Sequence, residues 1–245
     1  MEYDESLALR LAEGKGTPTV RVFGWSPRAI SLGYHQDESW LDIHRSREAG
    51  IDVVRRPTGG RAILHAHELT YSVIMPAAGR SVLQAYEYIS RALLAALRHL
   101  GVNAELSRSS PEAVRFYKGD GAVSCFATTS KYEVQFRGKK IVGSAQRRYA
   151  PRLPENDEIV LQHGSILLGP GHRDLIDFIL PSNPRTREIM LHSLQRNTTE
   201  VETILRRKVG FEEAAEAVRR GFEDAWGIAF RNSVSEIRVR DEVLV

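Results

Sequence analysis

Val54-Arg55-Arg56-Pro57-Thr58-Gly59-Gly60-Arg61-Ala62-Ile63-Leu64-His65 is the stretch on which the reading of this chain turns. The alternation of Ile51 and Val53 runs into it and that of Ala62 and Leu64 runs out, which predicts strands around a Gly-Gly turn with three arginines close by. Glycines let backbone N–H groups approach a ligand, and arginines add charge and fork-shaped donors, a setting for a carbonyl, carboxylate or phosphate. Gly-Gly is also an ordinary turn dipeptide, so a hairpin turn with solvated charges is the plainer alternative. The stretch matches neither a Walker loop nor a dinucleotide fingerprint.

Working outward, Val20 to Tyr34 holds short apolar runs around Gly24, Pro27 and Gly33, which predicts two strands joined by a tight connection. Downstream, Leu69, Tyr71, Val73 and Met75 continue the period of two. Past Pro76 the period becomes helical: Val82, Tyr86, Ile89, Leu93, Leu97 and Leu100 lie between a Ser81 cap and a Gly101 stop. Ser107 to Lys118 is polar and irregular and reads as a loop leading to Cys125. Tyr132, Val134 and Phe136 before Arg137-Gly138, with Ile141 to Ala145 after, predict a hairpin, and Ile159 to Leu168 one more strand. Helices are expected from about residue 172. The whole reads as α+β, a mixed and mostly antiparallel sheet flanked by helices. One domain over residues 1–245 with no separate accessory domain is expected.

Composition narrows the classes. With 245 residues, 42% hydrophobic and 27% charged, the chain has a globular composition, and 34 Lys+Arg against 31 Asp+Glu leave only +3, far from a nucleic-acid-binding extreme. The single cysteine excludes an intramolecular disulfide and a cysteine-cluster zinc site, and fits a reducing compartment. Met1-Glu2-Tyr3-Asp4-Glu5 is acidic where a signal peptide would be basic, and no apolar run approaches the ~20 residues that span a bilayer. A cytoplasmic location, with no membrane or nucleic-acid partner, is expected.

Four further segments carry candidate chemistry. Cys125 follows the irregular Gly119-Asp120-Gly121 approach; a lone cysteine is most often a small buried hydrophobe, but a thiol with a cationic neighbour becomes a nucleophile, and Lys140 across the hairpin is a candidate neighbour. Gly143-Ser144-Ala145-Gln146 could admit an extended ligand beside the backbone, or be a poorly packed edge strand. His163, in Gln162-His163-Gly164-Ser165, interrupts an apolar strand and needs a hydrogen-bond partner whether or not it reacts. His65 and His67 form a His-x-His pair without a carboxylate or cysteine at a diagnostic spacing, so no metal is expected.

Taken with Glu68-Leu69-Thr70-Tyr71-Ser72-Val73, Ser124-Cys125-Phe126, Gly138-Lys139-Lys140-Ile141-Val142-Gly143-Ser144-Ala145-Gln146 and Leu161-Gln162-His163-Gly164-Ser165, the opening stretch resembles the biotin/lipoate protein ligase and octanoyltransferase superfamily, most closely its LipM-type octanoyltransferases. The resemblance implies that superfamily's catalytic-domain fold. It implies an acyl chain lying along Arg56, Thr58, Gly59, Gly60 and His65, with Gly143, Ser144, Ala145, Gln146, His163, Gly164 and Ser165 on the opposite side. Cys125 matches the family's acyl-thioester nucleophile and Lys140 the lysine that lowers its pKa. The implied partners are octanoyl-acyl carrier protein as donor and a lipoyl domain, the glycine cleavage H protein foremost, as acceptor. No cofactor is implied, and a monomer is expected. Arg55, Arg61, Lys139, Arg147 and Arg148 would form a docking patch for an acidic carrier protein, or else be scattered solvated charges.

An ATP-dependent lipoate-protein ligase shares the arginine and glycine motif but has no need of Cys125. An amidotransferase taking octanoate from the H protein uses cysteine too. A hydrolase built on Cys125 and His163, or a noncatalytic binding module, completes the alternatives. Two departures from the family stand out. Met1 aligns with the methionine of its Met-x-x-Asp-Glu segment, so a strand expected before it is missing or the start is late. Ala66 follows His65 where relatives often carry Asp.

Overall fold

Thr70 to Met75 is rich in β-branched and aromatic residues, Val160 to Ile166 begins and ends on β-branched residues, and neither contains proline, which suits strands. In the computed structural model they do form the two central strands. The structure describes residues 1–107, 132–152, 157–180 and 184–231; Cys125, most of the Ser107–Lys118 loop and residues 234–245 lie outside the described residues. The chain runs α1 (Glu2–Ala12), β1 (Thr19–Phe23), β2 (Ala29–Leu32), α2 (Ile43–Glu48), β3 (Asp52–Arg55), β4 (Ile63–His65), β5 (Glu68–Pro76) and α3 (Val82–His99). It continues through β6 (Glu105–Leu106), β7 (Val134–Phe136), β8 (Lys139–Lys140), β9 (Val142–Tyr149) and β10 (Ile159–Leu167). A 3-10 helix (Pro170–Phe178) then leads to α4 (Pro184–Asn197), α5 (Val201–Leu205) and α6 (Phe211–Trp226).

The fold is α+β. A four-stranded antiparallel sheet has the order β1-β5-β10-β9. On one face, Tyr71 and Val73 pack with Ile89 and Leu93 of α3 and with Val218 and Phe222 of α6. On the other, Ile74 and Leu161 pack with Ala8 and Leu11 of α1. Successive strand residues thus bury to opposite sides, as the strand period of two requires. A second sheet, β3-β2-β4, has β2 parallel to β3 and antiparallel to β4. It packs against Leu175 and Phe178 of the 3-10 helix.

The predicted helix after Pro76 is α3, with a complete capping box between Ser81 and Gln84. The predicted hairpin forms only in part: β7 turns through Arg137 and Gly138, both at positive φ, into β8, whereas Val142 to Ala145, expected in its second strand, lies in β9 and pairs with β10 in the other sheet. Two further expectations need correction. The strands of Val20 to Tyr34 both form, but as β1 and β2 in different sheets, so their connection is a crossing and not a hairpin. The strands around Gly59-Gly60 are likewise not partners, because β2 lies between β3 and β4. Alternation reveals a strand's faces but not its neighbours. Helix α1 was not anticipated; its signs are Glu2, Asp4 and Glu5 in the first turn and Arg10 in the last, charges that complement the helix dipole. Among the described residues no helix is long and apolar enough to cross a membrane.

Candidate active site

The loop from Arg56 to Ala62 is shaped by its first arginine. Arg56 is buried, and all three guanidinium nitrogens bond within the loop and β2. Nε and Nη2 donate to Gly59 O at 3.2 and 2.9 Å, Nη2 to Arg61 O at 2.7 Å, and Nη1 to Ser31 O and Oγ at 3.0 and 3.2 Å. The loop in turn lies on the chain after β2: Tyr34 N donates to Thr58 O, and a Cβ on Gly33 would stand 1.9 Å from Gly60 O, a spacing that only glycine permits.

This loop faces the β9–β10 pair, and a narrow cleft runs between the two sheets. Ser31, Arg56, Ile63 and His65 line one side. Thr70, Gly143, Ser144, Ala145, His163, Gly164 and Ser165 line the other. The two expected halves of the site therefore meet, and the register explains how: Gly143 pairs with Ser165, Ser144 with Gly164 and Ala145 with His163. Thr58 joins through its hydroxyl, hydrogen-bonded to His163 Nε2, and Gly59 through Arg56. Gly60 is exposed, with its carbonyl against Gly33. Gln146 does not line the cleft; its amide donates to Gln162 Oε1 at 3.0 Å.

Electrostatics separate the two histidines. Burial, reinforced by the Arg56 guanidinium and by His65, holds His163 well below the ordinary imidazole value, so it is neutral at physiological pH. His65 Nδ1 lies 2.9 Å from Glu68 Oε1 and its Nε2 2.7 Å from Ser31 Oγ, with Ser165 Oγ at 3.5 Å from Nδ1. The carboxylate that reaches His65 thus comes from Glu68, with Ala66 standing at the intervening turn. Trp25 stacks on the His65 ring at 4.3 Å. Behind the cleft, Tyr71 OH bonds Ser144 Oγ at 2.6 Å and accepts from Gln162 Nε2 at 3.2 Å. Burial pushes the Tyr71 phenol up to about 12, so it stays protonated.

Lys140 is 1% exposed, and its Nζ lies 2.7 Å from Glu133 Oε1 in a buried ion pair. Its backbone carbonyl accepts from Thr199 N, which ties β8 to the C-terminal helical region. The basic residues read as a docking patch are held by local partners. Arg55 donates to the carbonyls of Gly33 and Gln36 and to Glu38, Lys139 to Gln195 O, Arg147 to Glu5 and Arg148 to Glu158. Ser31, Glu68, Thr70, Trp25 and Glu133 carry no mark of periodicity in the sequence, and only Glu68 and Thr70 fall within a motif of the family resemblance. Among the described residues no cluster of His, Cys, Asp and Glu could hold a metal.

Residues 1–223 match the model of the lipoyl protein ligase A/B catalytic domain. The chain belongs to this family. It is 37% identical over 234 residues to octanoyltransferase LipM of Geobacillus kaustophilus, covering 93% of this chain and 82% of that protein. It is 39% identical over 232 residues to octanoyltransferase LipM of Symbiobacterium thermophilum, with the same coverage of each. Among solved structures, lipoate-protein ligase A bound with ATP superimposes with a TM-score of 0.70 at 24% identity, over 96% of this chain and 83% of that one. That likeness shows the lipoyl-ligase catalytic fold, while sequence sets this member beside the octanoyltransferases.

Proposed function

We propose that this protein is an octanoyltransferase of lipoate biosynthesis that works through a cysteine thioester. It is an acyltransferase of the LipM type. The observation that carries the reading is the 37–39% identity to octanoyltransferases over 93% of the chain. The lining of the cleft agrees with it, since Gly143, Ser144, Ala145, Gly164 and Ser165 bring small residues of β9 and β10 together opposite Arg56 and His65.

In the proposed sequence the Cys125 thiolate attacks the carbonyl of octanoyl-acyl carrier protein and releases the carrier thiol. A lysine amine of a lipoyl domain, the glycine cleavage H protein foremost, then attacks the enzyme thioester and forms an amide. The first step exchanges one thioester for another and is nearly thermoneutral; the second runs downhill, so no adenylation is needed. In this reading Lys140 supplies the positive charge that favours the thiolate, and Glu133, its buried partner, offsets the cost of burying that charge. Backbone N–H groups of the glycine-rich segments hold the oxyanion in the same reading. The acting form is a monomer.

The test is intact mass on protein mixed with octanoyl-acyl carrier protein, without ATP, before and after neutral hydroxylamine. One octanoyl adduct that hydroxylamine removes and Cys125→Ser lacks is expected. Modification of the acceptor only with octanoate or lipoate plus ATP would make the protein a ligase instead. An adduct formed only from octanoylated H protein would make it an amidotransferase.

A further inference from the structure

Six side chains from both sheets form a hydrogen-bonded chain whose direction is set at each end by a group that can only donate. At one end Trp25 Nε1–H donates to Thr70 Oγ1 at 2.9 Å, so the Thr70 hydroxyl gives its own proton to Glu68 Oε1. At the other end Arg56 Nη1 donates to one lone pair of Ser31 Oγ at 3.2 Å, and, with His65 neutral and its Nδ1–H given to Glu68, the Ser31 hydroxyl donates to His65 Nε2 at 2.7 Å. His65 Nε2 is then the acceptor nitrogen, and Nδ1 carries the proton donated to Glu68 Oε1 at 2.9 Å. The tautomer follows for a neutral imidazole beside an ionised Glu68.

A hydroxyl hydrogen-bonded to an imidazole whose other nitrogen donates to a buried carboxylate is the arrangement that activates a serine. Ser31 and His65 both line the cleft, and Glu68 is buried behind them. The relay residues stand on β2, β4 and the start of β5, and the Trp25 ring fixes the plane of the imidazole. The Arg56 cation adds positive charge beside Ser31 Oγ, with its own N–H groups held by Ser31, Gly59 and Arg61. We propose that Ser31 is a second acyl-accepting nucleophile, activated by His65 and Glu68, which gives this cleft a hydrolase activity toward medium-chain acyl thioesters and esters.

In the acylation step the Ser31 Oγ–C bond forms, the C–S or C–O bond of the donor breaks, and the hydroxyl proton passes to His65 Nε2 and then to the leaving thiol or alcohol. In deacylation His65 takes a proton from water, hydroxide adds to the ester carbonyl, and the Oγ–C bond breaks to release the fatty acid and restore the serine. The inference rests on the cleft taking an acyl chain, as proposed above, and not on Cys125.

The test uses Cys125→Ala, so that thiol chemistry is removed, with 4-nitrophenyl octanoate as substrate and an alkyl fluorophosphonate as covalent probe. Steady nitrophenol release and a fluorophosphonate adduct mapping to Ser31 are expected. Adding Ser31→Ala should lower the rate by at least about tenfold and abolish the adduct, and adding Glu68→Gln should lower kcat with KM within about twofold. Absence of the Ser31 adduct in folded Cys125→Ala overturns the proposal, as does an unchanged rate in Cys125→Ala/Ser31→Ala. The wild-type Cys125 thioester is read separately by its lability to neutral hydroxylamine. A missing thioester with the Ser31 adduct present would remove the transferase reading and leave this one standing.

Discussion

At Gly164 the two central elements of the site approach each other as closely as backbones can. A Cβ there would stand 2.1 Å from Gly143 O and 2.9 Å from the Tyr71 ring, so β9 and β10 would have to part and the Tyr71–Ser144 bond would move. Gly164→Ala is therefore expected to destabilise the protein by about 1–3 kcal/mol, read by denaturant unfolding, and to abolish transfer at temperatures where the variant stays folded. A variant as stable and active as the parent would show that the strands can separate without cost. At this scale the sequence was informative about which residues matter and poor about why. His163, Ser144 and Arg56 were legible as polar or small residues in the wrong company for a plain strand. That Arg56 gives its donors to its own loop and to β2 was not, because alternation says nothing of how the loop folds back on Gly59 and Arg61, and Ser31 becomes a neighbour only when β2 inserts between β3 and β4.

Among the elements, α3 was the most legible, since cap, apolar stripe and stop are all written within the helix. Its capping box satisfies N-terminal N–H groups at a distance from the cleft: Ser81 N donates to Gln84 Oε1 at 2.8 Å and Gln84 N to Ser81 Oγ at 3.3 Å. Ser81→Ala should cost about 1 kcal/mol in thermal or urea unfolding and leave kcat/KM for octanoyl transfer unchanged. The strands β1 to β4 were found but wrongly paired in expectation, because alternation is a property of one strand and pairing a property of two. The short α1 escaped notice because its buried stripe is only Ala8, Leu11 and Ala12, beside a buried Asp4 that pairs with Arg21.

Across the whole molecule, two buried histidines link folding to pH. His163 sits well below the ordinary value, and burial, aided by Arg173, takes His172 down to about 3. The unfolded chain binds protons at these imidazoles from about pH 6.5 downward while the folded chain does not, so stability falls as pH falls. Each histidine contributes a slope of up to about 1.4 kcal/mol per pH unit below 6.5, and for His172 the window extends down to about pH 3. Urea unfolding followed from about pH 7.5 to pH 5 should show this decline, and His172→Gln should flatten it. A stability that stays level over that range would mean that both imidazoles titrate normally in the folded state.

By itself the sequence determined the α+β class, the identity of the strands and of α3, the family, and the two stretches that face each other across the cleft. Those features are carried by local alternation, by capping residues and by motifs whose order survives in a linear string. Only the tertiary structure decided that β2 separates β3 from β4, that Glu133 is the partner of Lys140, and that Trp25, Thr70, Glu68, His65, Ser31 and Arg56 form one directed chain. Strand order and buried polar partners depend on contacts between residues far apart in sequence, where hydrogen-bond satisfaction and close packing choose among pairings that local pattern leaves equal.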